Sequence, residues 1–309
     1  MAFWHRSVRR RQDDFLAGVA QLREWLAGAE AIFIGAGAGL STAAGFDYAG
    51  PRFERYFGDF ARRYGIRDMY AGGFYPFGEP EIYWAWWSRA IYVNRYVAPP
   101  RPVYEELLSL VAGRDYFVLT TNVDHQFQRA GFDKTRLFYT QGDYGLLQSV
   151  NPAIQKTYDN AHWVQAMIEA QGFVRNDEGI YVPPEQGHLE MRIPTELIPV
   201  CPDDGSEMTT NLRVDDGFVQ DEGWYAAQRR CAEFRARQQG RRVLYLELGV
   251  GLNTPGIIKF PFWEAVREGH QNRYVTIDAA RSICPDDIAE RSLCLQADIG
   301  DVLDALQKG

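Results

Sequence analysis

Short apolar runs recur along this chain, and each closes on glycine or polar residues. They are "AIFIGAGAG" from residue 31, "YFVLTTN" (116–122), "RLFYTQ" (136–141), "RVLYLELG" (242–249), "YVTIDA" (274–279) and "SLCLQAD" (292–298). Brief apolar runs rich in β-branched and aromatic residues suit strands that are covered on both faces. Helical patterns lie between several of them, as at 101–112 and 256–268. Residues 14–28 place Phe15, Val19, Leu22, Trp25 and Leu26 on one amphipathic stripe. Strand–helix alternation of this kind predicts an α/β fold, a parallel sheet with helices on both faces. Ligands of such sheets bind beyond the carboxyl ends of the strands, so the polar residues closing each run are the first candidates for a site.

Two stretches break the alternation. Residues 51–100 are aromatic and helical in pattern, with "YWAWW" (83–87) read as helix packing and "VAPPRP" as a proline-rich exit. Residues 145–240 are more irregular and polar, and "VPPEQGH" and "CPDDGSEM" mark loops. Both read as insertions that build a smaller lobe over the sheet. At 309 residues, 46% hydrophobic and 24% charged, the chain has the composition of a globular protein of one large or two modest domains. With 41 acidic against 33 basic residues its net charge is −8, which argues against nucleic-acid or anionic-membrane partners. The local arginine cluster Arg6, Arg9, Arg10 and Arg11 reads as a solvated helix start, or else a contact for an acidic partner or nucleotide. No apolar leader follows those arginines and no run is long enough to span a membrane. The four scattered cysteines, Cys201, Cys231, Cys284 and Cys294, form no C-x-x-C pair, as expected of a reduced, cytoplasmic protein.

Four segments carry candidate chemistry. Gly35, Gly37 and Gly39 follow a strand and precede a helix-like "LSTAAG", where bare backbone can approach phosphate oxygens; a merely structural loop would look the same. In "TTNVDHQF" (120–127), Thr121, Asn122 and Asp124 stand at a strand end; the bland alternative is a polar cap for the next helix. "LGVGLNTPGIIKFPFW" (248–263) repeats the strand, glycine turn and helix entry, and "ADIGDVLDAL" (297–306) leads a strand end into a terminal helix.

Taken in order, these segments resemble the sirtuin family of NAD-dependent enzymes. The family's G-A-G-x-S…S-G-x-P-D-F-R, T-Q-N-x-D, H-G and G-T-S-L-x-V-x-P motifs correspond to "GAGLSTAAGFDYAG" (37–50), "TTNVD" (120–124), "QG" (141–142) and "GVGLNTP" (249–255). The resemblance implies a Rossmann-like, doubly wound sheet in residues 1–50, 101–144 and 241–309. A helical insertion (51–100) and a small lobe (145–240) replace the family's zinc module. There are departures. Ala49 stands where sirtuins have Arg, the proline of that loop is missing, and Cys201 alone survives of the zinc-binding cysteines, so zinc is not expected. "GFDYAGPRF", "QGDYG" and "DEGWY" resemble more closely the macrodomain-linked (class M) branch, whose members act as protein ADP-ribosyltransferases. That resemblance implies NAD as co-substrate and a protein acceptor, a lipoylated carrier of the glycine-cleavage H type. A macrodomain hydrolase is implied as a companion.

The most telling departure is Gln141, where sirtuins carry a histidine base. In deacylation that base takes a proton from a ribose hydroxyl, and such help is worth roughly 10²–10⁴-fold. An amide cannot supply it but can hydrogen-bond a ribose. The resemblance therefore assigns catalysis to Asn122, Asp124 and Gln141. It places Gly37, Ala38 and Gly39 at the pyrophosphate, and Gly249, Gly251 and Asn253 at the far phosphate and adenosine ribose. Asp278, Asp298 and Ile299 fall at the adenosine end, and Tyr48, Arg52 and Phe53 in a loop over nicotinamide. Alternatives are an NAD glycohydrolase, a weak NAD-dependent deacylase, and an NAD sensor without turnover.

Overall fold

A computed structural model describes residues 2–308, with side chains described from residue 12 onward. The arginines read as a solvated helix start, Arg6, Arg9, Arg10 and Arg11, lie outside those described side chains. Helix α1 (Ala2–Gly28) contains the amphipathic stripe and leads to β1 (Ala31–Ala36) and the short α2 (Ala38–Ala43). The aromatic stretch folds as α3 (Pro51–Tyr64), α4 (Met69–Gly73) and α5 (Pro80–Ile91), which runs into a π-helical turn at Tyr92–Tyr96. The chain returns through α6 (Val103–Val111), β2 (Tyr116–Thr120), α7 (Gln126–Arg129) and β3 (Leu137–Tyr139). Then come β4 (Gly142–Ser149), β5 (Thr157–Asp159), α8 (Ala161–Ala170), β6 (Val174–Arg175), β7 (Tyr181–Val182) and β8 (Met208–Leu212). The last third comprises α9 (Glu222–Arg237), β9 (Val243–Leu248), α10 (Lys259–Glu268), β10 (Arg273–Ile277), β11 (Ser292–Leu295) and α11 (Ile299–Gln307).

Six strands form one parallel sheet in the order β11-β10-β9-β1-β2-β3. The chain fills one half outward from β1 and restarts at β9 on the other side of β1. The topological switch point, where open α/β sheets bind ligands, therefore lies between β1 and β9. Every residue of β1, β2 and β9 is buried, because both faces are covered. Ile32, Ile34 and Ala36 point toward α1, α6 and α11, whereas Ala31 and Phe33 point toward α9 and α10. Among the described residues no helix is long and apolar enough to cross a membrane.

The smaller sheet, β5-β4-β8, is antiparallel. It shares one aromatic core with the helical insertion: Phe57, Phe60 and Trp86 pack beside Leu147, Val164, Met167 and Phe173. At its centre Arg89 is fully buried. It donates to Gln171 Oε1 (2.7 Å), Asp59 Oδ1 (2.7 Å) and the carbonyls of Tyr56 and Glu190 (2.9 Å each). Helix α9 lies within the stretch 145–240, yet it covers the large sheet: Cys231 and Phe234 pack with Phe33, Phe117 and Tyr245. Its buried residues follow a helical stripe, and its arginine-rich outer face masks that stripe in the sequence.

Candidate active site

The carboxyl ends of β1 and β2 are adjacent, Ala36 beside Thr120, and the chain leaving each turns toward the other. Three polar side chains meet there. Ser41, in α2, donates through Oγ to Asp124 Oδ2 at 2.5 Å and accepts from Asn122 Nδ2 at 3.1 Å. The same Asn122 nitrogen donates to Gly37 O at 3.0 Å, which commits both amide hydrogens and leaves Oδ1 as the free polar atom of that side chain. Asp124 Oδ1 accepts from the Gln126 N–H at 3.2 Å. Burial pushes the Asp124 carboxyl up from 3.8 to about 6, with the Ser41 and Gln126 hydrogen bonds opposing the shift. Asp124 is therefore mostly ionised at neutral pH, a carboxylate held inside the protein at the sheet's edge.

Two glycine loops cross at the switch point. Gly37 and Gly39 donate to the carbonyls of Leu248 (3.0 Å) and Gly249 (2.9 Å). A Cβ on Gly39 would lie 2.6 Å from Gly249 Cα, and one on Gly249, whose φ is 62°, would lie 2.4 Å from Gly39 Cα. These positions are glycine because two backbones touch, and those two N–H groups already have partners. Ala38 beside them is exposed.

Gln141 sits one strand farther along the edge, half-buried. Thr140 N donates to Thr120 O at 3.0 Å, which carries the β2–β3 register up to the site. The Gln141 side-chain amide donates to Thr140 Oγ1 at 3.3 Å, and the Gln141 backbone carbonyl accepts from Arg213 N at 3.0 Å. Gly142 follows with φ 101°, where a Cβ would meet Asn211 O at 1.9 Å, so the Gln-Gly pair marks the point at which the chain enters the small sheet.

The remaining candidates divide. Tyr48 OH lies 3.3 Å from Tyr144 OH, and the half-buried Thr121 donates through its N–H to Ala36 O. Arg52 donates to Val93 O (2.5 Å), Asn94 Oδ1 (2.9 Å) and Asp47 O (3.3 Å), with no carboxylate partner among the described residues. It therefore ties the 46–50 loop to the middle of the π-helical turn. Gly251 and Asn253 lie exposed beyond β9, and a Cβ on Gly251 would meet nothing within 4 Å. Asp278 accepts from the N–H groups of Ala280 and Arg281, and Asp298 caps α11 and pairs with Arg101 at 2.9 Å. Both acids stand at strand ends on the far side of the switch point. Two side chains do not belong to the edge: Phe53 stacks on Phe57 inside the small-lobe core, and Ile299 is packed in the core beneath α11. Residue periodicity could have flagged both, since each sits on a buried helical stripe.

No family model matches the chain. Over 283 residues it is 35% identical to a protein ADP-ribosyltransferase of Staphylococcus aureus, an alignment covering 91% of this chain and 84% of that protein. The chain belongs to the protein ADP-ribosyltransferases. A probable bifunctional ADP-ribose hydrolase/ADP-ribosyltransferase of Fusarium oxysporum is 29% identical over 295 residues, 92% of this chain and 47% of that longer protein. Solved sirtuins share the fold. A Sir2 complex with a p53 peptide and NAD+ aligns at TM-score 0.57 and 20% identity, over 93% of this chain and 96% of that one. Another, from work on sirtuin substrate affinity, aligns at TM-score 0.58 and 18% identity, over 94% and 97%.

The polar cluster at the edge has two further members that sequence reading passed over. Ser41 links Asn122 to Asp124, and it stood in the open as the last residue of "GAGLS". Tyr104 of α6 lies beneath Ser41, its hydroxyl 2.9 Å from Ser41 Oγ; no sequence signal separates it from an ordinary core aromatic. Among the described residues no group of three or more His, Cys, Asp or Glu is placed to hold a metal ion. Cys201 is buried and faces the Tyr158 hydroxyl at 3.4 Å.

Proposed function

We propose that this ADP-ribosyltransferase cleaves NAD at its nicotinamide–ribose bond and transfers ADP-ribose to a protein, with a lipoylated carrier of the glycine-cleavage H type as acceptor. The observation that carries this reading is the Ser41–Asn122–Asp124 cluster beside Gln141 at the sheet's carboxyl edge. It provides orientation and negative charge, and at the position of the sirtuin base it provides an amide.

The residues present fit a dinucleotide. Gly251 leaves open backbone beyond β9, and Asn122 presents an uncommitted carbonyl oxygen suited to a hydroxyl or carboxamide donor. Gly251 and Asn253 stand on the adenosine side, and the far strand ends add Asp278 and Asp298. The side chains of Phe53 and Ile299, packed in cores, act on this site only through the backbone they fix. Tyr48 and Arg52 close the loop on the nicotinamide side. When the bond between ribose C1′ and the nicotinamide nitrogen breaks, its electron pair leaves with neutral nicotinamide and positive charge grows on the ribose. A fixed carboxylate at Asp124 favours that charge without reorganisation. The acceptor then bonds to C1′ and gives up its own proton. Gln141 can align the acceptor but cannot take the proton, so the acceptor must arrive nucleophilic. The bifunctional name of the fungal relative supports a companion hydrolase that removes the product.

The test is incubation with NAD labelled in its adenylate, with lipoylated or unlipoylated carrier. The proposal expects label on the lipoylated carrier together with nicotinamide release. Free ADP-ribose alone would make the protein a glycohydrolase, and an O-acyl-ADP-ribose from an acylated peptide would make it a deacylase.

A further inference from the structure

Helix α6 buries Val103, Tyr104, Leu107 and Val111 against the core. Phenylalanine would fill the ring's place: Tyr104 is fully buried and packs edge-on against Phe127 at 5.0 Å. The hydroxyl needs its own explanation, and its hydrogen-bond partner is Ser41 Oγ at 2.9 Å. A serine hydroxyl has one hydrogen and two lone pairs. Ser41 gives its hydrogen to Asp124 Oδ2 and takes one from Asn122 Nδ2, so its remaining lone pair receives Tyr104, which must donate. Burial and the nearby Asp124 charge hold the Tyr104 phenol well above the ordinary tyrosine range, which keeps it a donor.

We propose that Tyr104 is a positioning residue for NAD cleavage: by donating to Ser41 it fixes the serine hydroxyl toward Asp124, keeps that side chain a carboxylate, and holds the Asn122 oxygen free. A neutral Asp124 that donated to Ser41 would give that oxygen three donors for two lone pairs. The inference rests on the proposed role of the cluster in NAD cleavage. Besides Tyr104, the charged and titratable groups facing Asp124 are Asp143 and Tyr144 of β4, Arg95 of the π-helical turn, Tyr48 and Tyr139. All of them stay in place in a Tyr104→Phe variant.

The test is a carbon-13 titration of aspartate-labelled protein without NAD, following the Asp124 carboxyl carbon in the wild type and in Tyr104→Phe. Losing one hydrogen bond that favours the ionised form should raise the Asp124 midpoint by about 0.5–1 pH unit. The acid limb of nicotinamide release should move upward by the same amount. Ser41→Ala and the double variant Ser41→Ala/Tyr104→Phe should share one midpoint, because Tyr104 acts only through Ser41. An unmoved midpoint in Tyr104→Phe, or a further shift in the double variant, would overturn the inference. The expected titration in a wild-type protein that releases no nicotinamide would instead sink the proposed function.

Discussion

Burial lifts the Asp124 carboxyl from 3.8 to about 6 in the folded protein. The unfolded chain releases that proton at the ordinary value, so between the two values the native state holds more protons. This group's contribution to stability therefore falls as pH rises through that window, and its full cost is present above about pH 6. Asp124→Asn removes that titration but points an amide donor at Ser41 Oγ or at the Gln126 N–H, so its stability relative to wild type should rise by on the order of 2 kcal/mol between pH 4 and pH 8 from a lowered baseline, while nicotinamide release collapses. Urea unfolding at pH 8 and pH 4 reads it; a stability difference from wild type that does not change with pH would contradict the account. At this scale the sequence was partly legible. Asn122, Asp124 and Gln141 stood out as candidates because each follows an apolar run at the edge where α/β sheets bind ligands. Phe53 and Ile299 were misplaced because a motif aligns backbone positions and does not say which way a side chain turns. Tyr104 was invisible, since its partner lies 63 positions away in the chain.

Elements show the same division. Strands that end in glycine or polar residues gave themselves away by their apolar runs, and the parallel sheet follows from their alternation with helices. The stretch 145–240 was harder. β5, β6 and β7 run only two or three residues each, and the apolar stripe of α9 is obscured by its arginines. What ties the helical insertion to the segments after α8 is a pattern no local signal encodes: Arg89 gathers Asp59, Gln171 and the carbonyls of Tyr56 and Glu190. Arg89→Met would leave those acceptors without their donor in an interior site. It should cost about 3 kcal/mol or more, read as a lowered denaturant midpoint. An unchanged midpoint would mean that the aromatic core alone joins the two parts.

In the whole molecule, a dinucleotide-type sheet and an aromatic lobe meet where β3 passes into β4, and the polar cluster lies at that junction's sheet side. The lobe's continuous apolar core, with Arg89 at its centre, predicts stability that does not depend on metal. Chelation should leave Tm unchanged and elemental analysis should find no zinc; a stoichiometric ion whose removal unfolds the lobe would contradict this. The central claim is that the edge formed by β1 and β2 breaks the nicotinamide–ribose bond, and Asn122→Ala tests it most directly. The substitution removes the carbonyl oxygen left free for the substrate and costs about 1 kcal/mol of folding stability through its lost hydrogen bonds. Nicotinamide release, measured on folded protein, should fall by at least about 100-fold. Release at a near wild-type rate would place the chemistry elsewhere in the molecule.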